Sequence, residues 1–88
     1  MTKVTVYTRD KSLGNCNWCD KATSMLEYYG VPYKNISIGK DITKDEFKSK
    51  FNIKTVPAIF FDEEHIGGYG ELATRVWELP VGDPATHG

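Results

Sequence analysis

The chain has 88 residues, room for one domain with a modest core that buries roughly 60–65% of the unfolded surface. Its 11 Lys and Arg stand against 12 Asp and Glu, a net charge of −1, so there is no electrostatic footprint for nucleic acid or an anionic membrane. No apolar run approaches a membrane span, and Met1-Thr2-Lys3-Val4 leads into a strand pattern without the apolar stretch of a signal peptide, so a cytoplasmic protein is expected.

Val4 to Thr8 is β-branched and aromatic, the pattern of a short central strand. Arg9 to Asn15 is polar and turn-forming, an exposed loop that brings Arg9 and Lys11 close to Cys16. From Asn17 to Tyr29 the residues Ala22, Met25, Leu26 and Tyr29 recur at helical steps, and Gly30-Val31-Pro32 supplies the stop. Tyr33 to Ile38 alternates as a second strand, which a strand–helix–strand crossover makes parallel to the first. Thr43 with Glu46 forms a capping box, Ile42 against Phe47 a hydrophobic staple, and a second helix begins there. Phe47 and Phe51 share its buried face, while Lys44, Lys48, Lys50 and Lys54 form a basic belt read as mostly solvent-facing, with partner steering as the lesser reading.

Thr55 to Phe61 is an apolar run with Pro57 near its entrance, a buried third strand. Asp62 to Glu64 is a turn and His65-Ile66 a brief fourth strand. After Gly67-Gly68, the residues Leu72, Ala73, Val76, Trp77 and Leu79 make one apolar face of a last helix ended by Pro80. The domain is expected over 1–79, with 80–88 a flexible tail.

The two cysteines, Cys16 and Cys19, stand three apart at the mouth of the first helix, where their sulfurs can meet in a small disulfide ring. The helix N-terminus favours a thiolate on Cys16 by roughly 0.3–2 kcal/mol, a modest shift that N–H bonds or a cation such as Arg9 can extend. Cys16 is therefore the expected nucleophile, more exposed and more acidic than its resolver Cys19, with a pKa in the band of about 3.5–7.5 of activated thiols. A C-x-x-C can also be half a zinc site or a structural staple. Zinc takes four ligands and only His65 and His87 are left to supply the other two, while so short a disulfide loop removes little unfolded-state entropy. No metal is expected.

Val6-Tyr7-Thr8-Arg9, the cysteine motif, Ile42 to Glu46, Thr55-Val56-Pro57 and His65 to Tyr69 together resemble the glutaredoxins of the thioredoxin-like superfamily, over about residues 3–79. The resemblance implies an α/β fold, β-α-β-α-β-β-α, with a four-stranded mixed sheet flanked by three helices. It implies a glutathione-dependent disulfide oxidoreductase, monomeric, with glutathione as co-substrate and disulfide-containing or glutathionylated proteins as partners, ribonucleotide reductase among them. By position it implies that Thr55 and Val56 offer backbone pairing to glutathione and that Pro57 is cis and its loop abuts Cys16. Trp18 covers the disulfide, Gly68 lets the tripeptide approach, and the helix start at Tyr69, Gly70 and Glu71 presents N–H groups to one carboxylate while Arg9 binds the other.

Three departures bear on detail. Asn17 and Trp18 stand where the family usually has proline and tyrosine, the loop before Cys16 is several residues longer, and Gly70 replaces a common polar residue. Two other functions use the same cysteines: a thioredoxin-like reductant charged by a flavoprotein, and an iron–sulfur carrier in which Cys16 from two chains and two glutathiones hold a cluster.

Overall fold

The computed structural model describes residues 3–53 and 55–79. Lys54 of the basic belt and the expected tail 80–88 lie outside them. The elements run β1 (Val4–Arg9), α1 (Asn17–Tyr28), β2 (Tyr33–Ile38), α2 (Lys44–Phe51), β3 (Ala58–Phe61), β4 (Glu64–Gly67) and α3 (Tyr69–Arg75). The expected order of strands and helices is therefore the observed one. The sheet order is β2-β1-β3-β4, with β1 parallel to β2 and antiparallel to β3, and β3 antiparallel to β4.

Alternation along the central strands divides the core in two. Val4 and Val6 of β1 with Ile59 and Phe61 of β3 face α1 and α3, where Ala22, Leu26, Leu72 and Leu79 cover them. Tyr7, Ala58 and Phe60 face the other way, onto Phe47 of α2. Only the N-cap half of the expected capping box of α2 is formed: the Glu46 N–H donates to Thr43 Oγ1, while the Glu46 carboxylate takes the Thr43 hydroxyl rather than its backbone N–H, each bond at 3.0 Å. Ile42 packs with Phe47 in that second cluster, as a staple should.

Four expectations need correcting. The third strand begins at Ala58, because a proline without an N–H cannot join the ladder, and Thr55 to Pro57 form bends before it. The turn is Asp62-Glu63, with Asp62 at a φ of 57°, so Glu64 already belongs to β4. Tyr29 is the C-cap of α1 and is exposed, since the helix has ended before its ring can turn inward. The last helix tightens to a 3-10 turn at Val76–Glu78, which leaves Trp77 in solvent, and Ala73, one step round α3 from buried Leu72, is exposed within the helix itself; Leu72 and Leu79 are buried. Among the described residues no helix is long and apolar enough to cross a membrane.

Candidate active site

The register of β1 brings the site together. Tyr7 pairs with Ala58, so the Val56–Pro57 bend that precedes β3 lies beside the end of β1, where Thr8 and Arg9 lead into the cysteine loop. The Val56–Pro57 peptide bond is cis.

Cys16 and Cys19 form a disulfide with a Cα–Cα distance of 5.3 Å. Cys16 is the N-cap of α1: its backbone is extended, and its Sγ accepts the Cys19 N–H at 3.2 Å. A sulfur thus takes the place that a Ser or Asp oxygen usually holds, against one of the unpaired donors of the first turn. Cys16 is half-buried, whereas Cys19 is 3% exposed. The cysteine expected to be reached first is the accessible one.

Arg9 is exposed, and its Nη1 donates to the Asn15 carbonyl at 3.1 Å, which draws the guanidinium over the loop before Cys16. It borders two depressions. One, of about 280 Å³, is polar and includes Thr8, Cys16, Cys19, Asp20 and Asn35. Within it the buried Thr8 hydroxyl donates to Asn35 Oδ1 at 2.9 Å. The other, of about 590 Å³, also holds Val56 and runs along α2. Of these, Asn35 carries no signal in the sequence, Thr8 enters only within the Val6-Tyr7-Thr8-Arg9 resemblance, and the α2 edge only as the lysine belt.

At the opposite rim Trp18, 55% exposed, sets its ring 5.5 Å from that of Tyr69, so the residue between the cysteines touches the start of α3. Lys21 Nζ lies 4.5 Å from the Trp18 ring centroid on another side. Gly68 is the N-cap of α3, and its N–H donates to Glu71 Oε1 at 2.7 Å. A Cβ on Gly68 would sit 3.5 Å from the Pro57 carbonyl oxygen, in ordinary van der Waals contact, which places the start of α3 against the Pro57 bend. Beside Gly70 there is open space, and Thr55 is exposed and lines neither depression. Among the described residues no three His, Cys, Asp or Glu side chains gather as a metal site.

A sequence model of the glutaredoxin family matches residues 4–66, which carry the cysteine pair and the Thr-Val-Pro bend. The chain belongs to the glutaredoxin family. Glutaredoxin 3 of Escherichia coli K12 is 33% identical over 73 residues, 82% of this chain and 83% of that protein. Among solved structures, glutaredoxin 1 from Francisella tularensis, crystallised with cacodylate, superposes with a TM-score of 0.68 at 27% identity, over 89% of this chain and 95% of that one. A buckwheat glutaredoxin–glutathione complex shares the fold at a TM-score of 0.67 and 18% identity, covering 88% of this chain and 70% of that one. With the glutaredoxin fold and a Cys16–Cys19 redox pair, the protein is a thiol–disulfide oxidoreductase.

Proposed function

We propose that the protein reduces protein disulfides and protein–glutathione mixed disulfides with electrons from glutathione, in the reducing cytoplasm. The observation that carries this reading is the position of Cys16 Sγ at the N-cap of α1, accepting an amide N–H, half-buried beside Arg9. In the reduced protein the same N–H and the helix terminus hold negative charge on that sulfur.

The Cys16 thiolate attacks one sulfur of the substrate disulfide; a new S–S bond forms, the old one breaks, and the other sulfur leaves as a thiolate that takes a proton. Cys19 then loses its proton and attacks Cys16 Sγ, which frees the second substrate thiol and leaves the Cys16–Cys19 disulfide. Cys19 borders the polar cleft, where water can receive that proton. One glutathione thiolate attacks Cys16 and releases Cys19; a second attacks the bound glutathione sulfur and departs as glutathione disulfide, restoring the Cys16 thiolate. The electron count closes at two per cycle.

For glutathione itself we assign Arg9 to one carboxylate and the free N–H groups of Tyr69 and Gly70 to the other, the Gly68 N–H being held by Glu71. Glu71 is then a positioning residue of the helix start. The backbone of Thr55 and Val56 pairs with the extended tripeptide ahead of Pro57, and Trp18 with Tyr69 walls the far side. The buckwheat complex supports glutathione as the ligand to the extent that the same fold accommodates it there.

Glutathione-coupled turnover of two variants tests the reading. Cys16→Ser is expected to abolish all activity, and because serine is itself a good N-cap the reduced variant should unfold within about 1 kcal/mol of the parent. Cys19→Ser should keep most activity on a glutathionylated peptide, which needs one attacking thiolate, and lose tenfold or more, on the order of 1.4 kcal/mol, on an intramolecular disulfide, which needs a neighbouring thiol for release. Equal losses on both substrates would overturn the assignment of nucleophile and resolver.

A further inference from the structure

The larger depression has more than a glutathione carboxylate could use. Its floor is Leu13, Ile38, Phe47, Ile53 and Val56, and among the described residues the charged side chains that line it are Arg9, Lys44 and Lys48, all cationic in a chain of net charge −1. Lys44 and Lys48 are four apart on α2 and so stand along one edge, while Asp45 and Glu46 are turned away from it by the helical step. Among the described residues neither lysine closes an ion pair within 4 Å.

The wall facing α2 is the loop before Cys16, and that loop is held in place. The Asp10 N–H donates to the Ile38 carbonyl at 2.9 Å, and the Asp10 carboxylate accepts both the N–H and the hydroxyl of Ser12, which caps the 3-10 turn Lys11–Leu13. Leu13 lies against Gly39, where a Cβ would come within 2.8 Å of Leu13 Cδ1. A glycine at a φ of 105° is what lets this apolar side chain settle onto the end of β2. The groove joins the redox centre through Arg9, which also borders the Cys16 cleft, and through Val56, next to Pro57.

From this we propose that the groove seats a segment of the protein substrate adjoining its disulfide: extended, acidic, and bearing one large apolar side chain. The apolar side chain lies between Leu13 and Phe47, and its acidic neighbours face Lys44, Lys48 and Arg9. The inference rests on the thiol–disulfide reading of Cys16 and Cys19, and it makes Leu13 and Lys48 specificity determinants that glutathione does not need.

Two synthetic peptides with the same intramolecular disulfide, one flanked by Glu-Leu-Glu and the other by Lys-Leu-Lys, test it beside 2-hydroxyethyl disulfide as a small substrate. The acidic peptide should be favoured about tenfold in kcat/KM at low salt, and most of that preference should fade by about 0.5 M salt. Lys48→Glu should shift the preference toward the basic peptide, and Leu13→Ser should slow both peptides several-fold, with 2-hydroxyethyl disulfide turned over at the parental rate by both variants. Equal kcat/KM on the two peptides at low salt, with normal turnover of the small disulfide, overturns the docking proposal and leaves the oxidoreductase reading intact. Should no disulfide be reduced at all, that reading has failed instead. Docking is then decided by titrating the Cys16→Ser, Cys19→Ser double variant with serine versions of the peptides: tighter binding of the acidic one, lost in Lys48→Glu, supports it, and equal binding overturns it.

Discussion

The sheet face under α1 and α3 is aliphatic and closed, with Val6, Leu26, Ile59 and Leu72 each at 0% exposure, whereas the face under α2 is aromatic and open at one end. There the rings of Tyr7, Phe47, Phe51 and Phe60 lie with centroids 5.0–5.5 Å apart, tilted or edge to face. Two helices share the first face; a single helix of 8 residues covers the second. The closed face holds the helix that carries the cysteines on rigid support. The open face leaves apolar floor within reach of a substrate, and Phe47 serves both as core and as groove.

That contrast should appear first in stability. Leu26→Ala empties a site enclosed on all sides and is expected to cost roughly 2–5 kcal/mol. Phe51→Ala removes a larger side chain, but one already half in water, and should cost about 1–3 kcal/mol. For a domain of this size each kcal/mol moves Tm by about 4–8 °C. Urea unfolding of both variants in the reduced state measures the difference, and equal losses would mean that the two faces are packed alike.

Local signals made much of this legible. Thr43 with Glu46 three residues on specifies the start of α2 by hydrogen bonds that involve nothing else in the fold, and Cys16 to Cys19 needs only the first turn of α1. The Thr-Val-Pro bend was visible as a motif, although the strand behind it starts later than the apolar run suggests. Hydrophobicity misled where packing geometry decides: Trp77 fits a helical face that the 3-10 turn interrupts, and Ala73 lies on the open side of α3. The groove was beyond reach of pattern, because Leu13, Lys48 and Val56 meet only once β1 lies between β2 and β3. A belt of lysines reads as solvated until the loop opposite it is known.

A smaller effect tests whether α2 stands on its own cap. Thr43→Ala leaves the Glu46 N–H without its acceptor and should cost about 1 kcal/mol, since the α2 cap is exposed. Hydrogen exchange should quicken at Glu46 and Phe47 and stay unchanged at Leu26, whose helix is capped by Cys16. If exchange rises equally in both helices, the two faces open as one unit, and the contrast in their packing does not extend to their local stability.

The smallest effect is electrostatic, and each face carries a tyrosine that reports it. Burial among the aromatic rings raises the pKa of Tyr7 above the usual value. Tyr33, packed at the edge of the aliphatic face, is pushed up to about 12, first by burial and then by its hydrogen bond to Glu27, whose Oε2 accepts the phenol at 2.7 Å. A folded-state pKa above the unfolded value of 10.0 favours folding fully below pH 10, and that contribution is lost as the pH rises from about 10 to about 12. Absorbance at the tyrosinate band, with Tyr33→Phe as the subtraction, should show Tyr33 ionising near the top of that window. Glu27→Gln keeps an acceptor but removes the charge, so it should lower the Tyr33 midpoint part of the way. A Tyr33 that titrates at the ordinary tyrosine value in the parent protein would show that α1 and β2 are not closed over it, and that the aliphatic face is less sealed than its core residues imply.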